Sequence, residues 1–348
     1  MYQWILADLW IRSIGGRHRM VTKIGIAAIY NQCHTNYDRQ HFSSNLWSLS
    51  MPLDRLITEQ PNVFSANLDQ LSIEEGVALM NREDAFIAPC VARSLPSIAA
   101  GVRAVSQALR AGGRLVYIGA GNSGRIGYLD ALECQPTFGM SPQEVVGIVA
   151  GGFIGMSEGV EDSAERGQAD LEGIALRRED VVVGLSASGR TPYVIGALRH
   201  ARRIGCSTVS VACNSGSEVG AVADVAIEVD CGPEILAGST RLKAGTVQKM
   251  VCNMLSTLSM VALGKTYGNL MVDLQVHNHK LQLRAQSIVA QAAGVAPDVA
   301  ARTLAEAGNR PRIAILMLLA GLSCGEAEAL SVEHGGSIHR ALQARKPS

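Results

Sequence analysis

Leu115-Val116-Tyr117-Ile118-Gly119-Ala120-Gly121-Asn122-Ser123-Gly124-Arg125 is the stretch that decides the fold. A short apolar, β-branched run enters a string of small residues, and a helical pattern follows. Strand, tight turn and helix in that order make the first half of a βαβ unit. The order returns at Val181–Leu185, followed by Ser186-Ala187-Ser188-Gly189-Arg190-Thr191-Pro192. Further runs at Val145–Val149, Thr208–Ala212 and Val225–Val229 alternate with helical stretches. Strands separated by helices pair in parallel, and such a sheet is covered on both faces. The pattern predicts an α/β fold, a doubly wound five-stranded parallel sheet, over residues 111–285.

Residues 51–110 read as a helical segment. Ser72 and Glu75 form an S-x-x-E capping box. Ile87, Val91, Leu95, Ile98, Val102, Val105 and Leu109 then recur at three- and four-residue steps. Pro89 and Pro96 predict a break or kink near each. After Arg241 a long helical run reaches about Gly264, and another starts near His279. Residues 286–348 read as a small helical bundle, punctuated by Gly308, Pro311, Gly321 and Gly335-Gly336. Residues 1–50 differ. They hold all three tryptophans but no clear period, and read as an upstream extension that the rest does not need.

Composition excludes several classes. Of 348 residues, 47% are hydrophobic and 18% charged, which is ample for a buried core and excludes disorder as a main description. Lys+Arg and Asp+Glu are both 31, so the basic footprint of a nucleic-acid binder is missing. No run approaches the roughly 18 apolar residues of a membrane span. The eight cysteines are scattered, with neither a C-x-x-C pair nor zinc spacing, and read as reduced thiols of a cytoplasmic protein.

The two strand-end loops carry the chemistry. Small residues let the backbone turn and present N–H groups, and the following helix adds its positive end, which together make a phosphate cradle. Gly119 to Gly124 also spells G-x-G-x-x-G, but no carboxylate stands at the end of the second strand, where Val149-Ala150-Gly151-Gly152 follows, so a nicotinamide reading is disfavoured. The second loop adds two serines and a threonine. There is no Walker lysine. Hydroxyls with few lysines point to the monophosphate of a polar molecule, the bland alternative being that they only cap helices.

These loops resemble those of the sugar isomerase, or SIS, domain. Longer strings are similar to the N-acetylmuramic acid 6-phosphate etherase family: Thr58-Glu59-Gln60 with Asn62 and Ser65, Ile118 to Arg125, Asp130 to Gly139 and Ala150-Gly151-Gly152. Ser186 to Val194, Gly238 to Thr246 and Tyr267 to Asp273 complete the set. The resemblance runs from about Leu56 to the C-terminus. It implies cleavage of a lactyl ether on a phosphorylated amino sugar, in amino-sugar catabolism and peptidoglycan recycling. The implied partner is a small-molecule sugar phosphate, with no nucleic acid or membrane, no metal and no cofactor, in a homodimer.

The resemblance also implies roles. Glu133 matches the family's general acid, which at neutral pH calls for apolar surroundings. Glu161 matches the candidate base, but the segment before it is about three residues short of the family's, so Glu158 is an alternative. Gly121, Asn122, Ser123, Gly124, Ser186, Ser188, Gly189, Arg190 and Thr191 are the expected phosphate ligands. Glu59 and Asn62 are expected at the sugar or the entrance, and Arg241 and Lys243 at the lactate carboxylate, or else in a salt bridge at a helix start. His277, His279 and His334 read as surface or packing residues. One spacing is awkward: Glu133 follows Gly124 by nine residues, about 13 Å along a straight helix. Either that helix turns early or Glu133 serves a neighbouring subunit. A sugar-phosphate sensor without catalysis and an aldose–ketose isomerase are the rivals. Neither needs Glu133.

Overall fold

The structure, a computed structural model, describes residues 55–155 and 159–345; the extension over residues 1–50, and Glu158, lie outside them. Five strands form one sheet: β1 (Leu115–Gly119), β2 (Val145–Val149), β3 (Val181–Leu185), β4 (Ser207–Ala212) and β5 (Val225–Glu228). Their order is β2-β1-β3-β4-β5 and every pairing is parallel. Gly119 is in register with Val149 on one side and Leu185 on the other. The loops that leave β1 and β3 therefore stand side by side. The chain leaves β1 toward β2 and then returns to the far side for β3, so these loops flank the switch point where open α/β sheets bind ligands.

Side chains alternate along β1. Leu115 and Tyr117 share a core with Val247, Val251 and Leu255, whereas Val116 and Ile118 pack with Tyr193, Val194 and Leu198. That is the two-residue period of a strand buried on both faces. The helices before and between the strands are α1 (Ile73–Asp84), α2 (Ile87–Ala92), α3 (Leu95–Arg110), α4 (Gly121–Phe138) and α5 (Ala164–Gly173). Then come α6 (Pro192–Ile204), α7 (Glu218–Val222) and α8 (Lys243–Ala262). The capping box forms as read: Ser72 Oγ accepts the Glu75 N–H and the Glu75 carboxylate accepts the Ser72 N–H. The breaks in the helical segment precede the prolines. Pro89 and Pro96 stand in the first turns of α2 and α3, where a missing N–H leaves no helical bond unmade.

A short hairpin, β6 (Thr266–Tyr267) and β7 (Leu270–Met271), leads to α9 (His279–Ala293), α10 (Pro297–Glu306), α11 (Pro311–Ala320), α12 (Cys324–Glu333) and α13 (Ile338–Ala344). Strands of two residues have no period to read. The bundle core of Ala285, Ile288, Val289, Leu304 and Ile315 also includes Val272 and Leu274. We therefore propose that the bundle begins near Val272, ahead of residue 286. Among the described residues no single helix is long and apolar enough to cross a membrane.

Asp180 ties the other end of the sheet. Its buried carboxylate accepts the Arg114 N–H at 2.8 Å, the Arg114 guanidinium at 2.6 Å and the Arg177 N–H at 2.8 Å. Burial alone would raise its pKa. The Arg114 and Arg177 donors outweigh that and hold it below the usual carboxylate value. A depressed folded value means stability present above the unfolded pKa, about 3.9, and lost as pH falls through the folded one. Asp180→Asn is expected to cost on the order of 3 kcal/mol near neutral pH, and to flatten the acid limb of a stability-versus-pH curve. The Michaelis constant should hold, since Asp180 lies at the end of the strands opposite the loops.

Candidate active site

Both helices that follow the loops begin without a side-chain cap. The N-cap of α4 is Ala120, and the N-cap of α6 is Thr191, whose hydroxyl makes no cap bond. At α4 the first N–H groups therefore have no side-chain acceptor and its positive end faces the crevice, whereas α6 starts on Pro192, which has no N–H, and its Tyr193 N–H is taken by the Glu161 carbonyl. This removes the bland reading of the hydroxyls as caps. Instead they bond one another: Ser186 Oγ lies 2.7 Å from Thr191 Oγ1 and 3.4 Å from Ser188 Oγ, and accepts the Gly189 N–H at 3.0 Å. Ser123 is buried at the start of α4. The glycines set how closely the first loop hugs the sheet. A Cβ on Gly124 would stand 2.4 Å from the Gly119 carbonyl oxygen, so any larger residue would push α4 off β1.

Glu161 comes to the second loop through the backbone, where its carbonyl accepts the Tyr193 N–H at 3.1 Å, in the first turn of α6. It is half-buried. The loop before it folds back on α4: Arg125 Nε donates to the Phe153 carbonyl at 3.0 Å, and the Tyr128 and Phe153 rings lie 5.0 Å apart.

Asn214, just past β4, was not singled out from the sequence, yet it joins three pieces. Its Oδ1 accepts the Ile57 N–H at 2.7 Å, and its Nδ2 donates to Thr58 Oγ1 at 3.1 Å. The same Nδ2 lies 3.2 Å from the carbonyls of Ala187 and Ser188. Holding those carbonyls fixes the course of the second loop. The signal available in the sequence was a third polar strand-end loop, Asn214-Ser215-Gly216-Ser217. Glu59 follows from Thr58. The Thr58 carbonyl accepts the Gly238 N–H at 3.1 Å, and Glu59 Oε2 would lie 3.0 Å from a Cβ on Gly238.

Two expected sugar ligands are engaged elsewhere. Asn62 is buried, donates to Glu83 at 2.7 Å and accepts the Phe64 N–H at 2.9 Å. Lys243 is buried and pairs with the same Glu83 carboxylate at 2.9 Å. Burial of a lysine demands a partner, and Glu83 supplies it. The salt-bridge alternative thus describes Lys243. Glu234 accepts the Lys243 and Ala244 N–H groups, both at 2.9 Å, and so caps α8. Arg241 is exposed beside a cavity of about 210 Å³ that Met80, Glu83 and Asp84 also line. His277 and His279 are exposed, in keeping with their reading as surface residues.

Glu133 stands apart from the loops. α4 runs unbroken from Gly121 to Phe138, so the early turn does not occur. Glu133 is exposed, on the same helix as the half-exposed Leu129 and Leu132, and lines a groove of about 530 Å³ between α4, α8 and the hairpin. Below it, buried Asp130 accepts from Tyr117 Oη at 2.8 Å, Asn253 Nδ2 at 2.6 Å and Ser256 Oγ at 3.2 Å. Burial pushes the Asp130 carboxyl up, and those three donors oppose the shift. The network locks β1, α4 and α8 together beneath Glu133.

Comparison with known proteins finds two family matches. Residues 97–202 match the family described as glucokinase regulatory protein N-terminal SIS domain, and residues 162–258 match the SIS domain. Over 298 residues the chain is 70% identical to an N-acetylmuramic acid 6-phosphate etherase of Burkholderia lata, covering 86% of this chain and 99% of that one. It is 52% identical over 297 residues to one of Mycolicibacterium smegmatis, covering 84% and 100%. It is 51% identical over 299 residues to one of Rubrobacter xylanophilus, covering 85% and 99%.

Proposed function

The chain belongs to the N-acetylmuramic acid 6-phosphate etherase family, and we propose that it cleaves the D-lactyl ether of that sugar phosphate, giving N-acetylglucosamine 6-phosphate and D-lactate. The observation that carries this reading is the start of α4, which has no side-chain cap, beside the clustered hydroxyls of Ser186, Ser188 and Thr191, at the adjacent ends of β1 and β3. They suit a dianionic phosphate held by N–H and O–H donors. Glu161, beside the second loop, suits a base acting on the sugar that the phosphate anchors.

An ether resists simple nucleophiles at neutral pH. Opening the sugar ring to the aldehyde makes the proton on carbon 2 acidic and puts the lactate on carbon 3 in a leaving position. Glu161 takes the carbon 2 proton. The carbon 3–oxygen bond breaks as Glu133 protonates the departing oxygen. A double bond forms between carbons 2 and 3, and water then adds at carbon 3. No net oxidation or reduction occurs, and two carboxylates supply the base and the acid.

Glu133 lies about 13 Å along α4 from Gly124, too far to act on a hexose phosphate held by its own chain's loops. The exposed Leu129 and Leu132 on α4, with the exposed Leu258 and Val261 on α8, support a second copy covering this face. In such a homodimer Glu133 works in the partner's crevice, and the partner supplies the apolar surroundings that a general acid requires. Arg241, exposed near the start of α8, suits the lactate carboxylate. The thiols, all free among the described residues, support a reducing compartment, the cytoplasm.

The direct test is to add N-acetylmuramic acid 6-phosphate to the purified protein and measure D-lactate. No D-lactate would sink the reading. A second test addresses the phosphate. Ser188→Ala is expected to raise the Michaelis constant roughly tenfold or more, as loss of one charge-assisted hydrogen bond costs about 1.5–3 kcal/mol. Unphosphorylated N-acetylmuramic acid should be a very poor substrate. Equal turnover of the two sugars would remove the phosphate loops from the account.

A further inference from the structure

Gln248 on α8 is fully buried, and neither its amide nitrogen nor its amide oxygen has a hydrogen-bond partner. Among the described residues it is the one side chain with two such atoms. Buried polar groups are nearly always paired, so each exception calls for a cause.

Its surroundings place it. One turn toward the N-terminus, the Ala244 carbonyl accepts the thiol of Cys213, just past β4, at 3.7 Å. One turn toward the C-terminus, the Cys252 carbonyl lies 3.3 Å from the Tyr117 hydroxyl of β1. Three residues before it, Gly245 packs on the first loop, where a Cβ would stand 2.9 Å from Asn122 Nδ2. At 3.6 residues per turn Gln248 lies on the face these contacts define, level with the ends of β1 and β4. Ala244, Val247, Val251, Cys252 and Leu255 around it on α8 are all buried in an apolar core. A methionine of similar length would fill the same space with no unpaired atom.

We propose that Gln248 is a substrate ligand, its amide hydrogen-bonding the sugar chain at the floor of the crevice between the two loops. This rests on the sugar-phosphate reading of that crevice.

Gln248→Met separates the possibilities, because stability and activity should move in different directions. The expected result is an equal or higher melting temperature, with kcat/KM for N-acetylmuramic acid 6-phosphate lowered about tenfold or more. Inhibition by inorganic phosphate should stay at the parent level, since both loops are intact. A lower melting temperature, or failure to fold, would show that the amide is satisfied within the protein and would overturn the proposal. Unchanged kcat/KM would overturn it too. If the parent itself releases no D-lactate, it is the etherase reading that fails. Calorimetric binding of N-acetylmuramic acid 6-phosphate to parent and variant then still decides Gln248, equal affinities counting against it.

Discussion

Glu133→Gln is expected to lower D-lactate release by at least the roughly 10²–10⁴ typical of losing a general acid, while exchange of the carbon 2 proton with deuterated water continues. The two steps separate because they need different groups. Removing the proton requires the opened sugar, the phosphate loops and the base, and no proton from Glu133. Expelling lactate also requires a proton on the leaving oxygen, since an alkoxide is a poor leaving group. Glu133 is exposed on its own chain, and Asp130 below it keeps its three hydrogen bonds, so the change should not disturb the fold. Glu161→Gln behaves differently: exchange and release should collapse together. Deuterium incorporation by nuclear magnetic resonance and a coupled lactate assay read both quantities from one sample. Release at the parent rate from Glu133→Gln would refute the acid. Normal exchange by Glu161→Gln would move the base to another residue, with Glu158 the next candidate.

The sheet was legible because a strand buried on both faces needs a continuous apolar run. Val181–Leu185 has no polar residue to blur its ends, and the structure begins and ends β3 at those residues. Five runs rich in Val, Ile and Ala, each followed by small or polar residues, leave few topologies, and the order β2-β1-β3-β4-β5 is among the most common of them. The phosphate loops were legible for a related reason, since Gly124 must lack a side chain to let α4 approach β1. Long-range pairing was not legible. Lys243 sits in a string that resembles a ligand motif, yet its partner Glu83 is 160 residues away, and nothing local announces it. Asn214 was missed likewise, because its partners, Ile57, Thr58, Ala187 and Ser188, meet only once the N-terminal turns lie across the end of β4. Glu133 shows the opposite case. Its spacing from Gly124 already raised the difficulty of reach, and the unbroken α4 removed one of two solutions.

The remaining solution predicts that two inactive variants restore each other. Glu133→Gln keeps intact loops, and the double variant Ser188→Ala/Thr191→Ala, which removes two loop hydroxyls where Ser188→Ala alone acts mainly on the Michaelis constant, keeps an intact Glu133. If each site combines the loops of one chain with Glu133 of the other, a mixed dimer holds one site with both parts intact and one with both parts damaged. Random exchange makes half the dimers mixed, so about a quarter of the parent's activity per site should return in a symmetric dimer. Against parents reduced roughly 10²-fold or more, that is a rise of at least about 25-fold. Two affinity tags would show that exchange has taken place, and D-lactate release from the doubly tagged fraction, where every dimer is mixed and about half the parent's activity per site is expected, gives the answer. Activity no greater than the sum of the two parents, in a fraction shown to be mixed, would mean that each chain completes its own site. Glu133 would then be too distant to act, and the acid would have to be sought nearer the crevice, with Glu59, beside Gly238 and tied through Thr58 and Asn214 to the second loop, the first to examine.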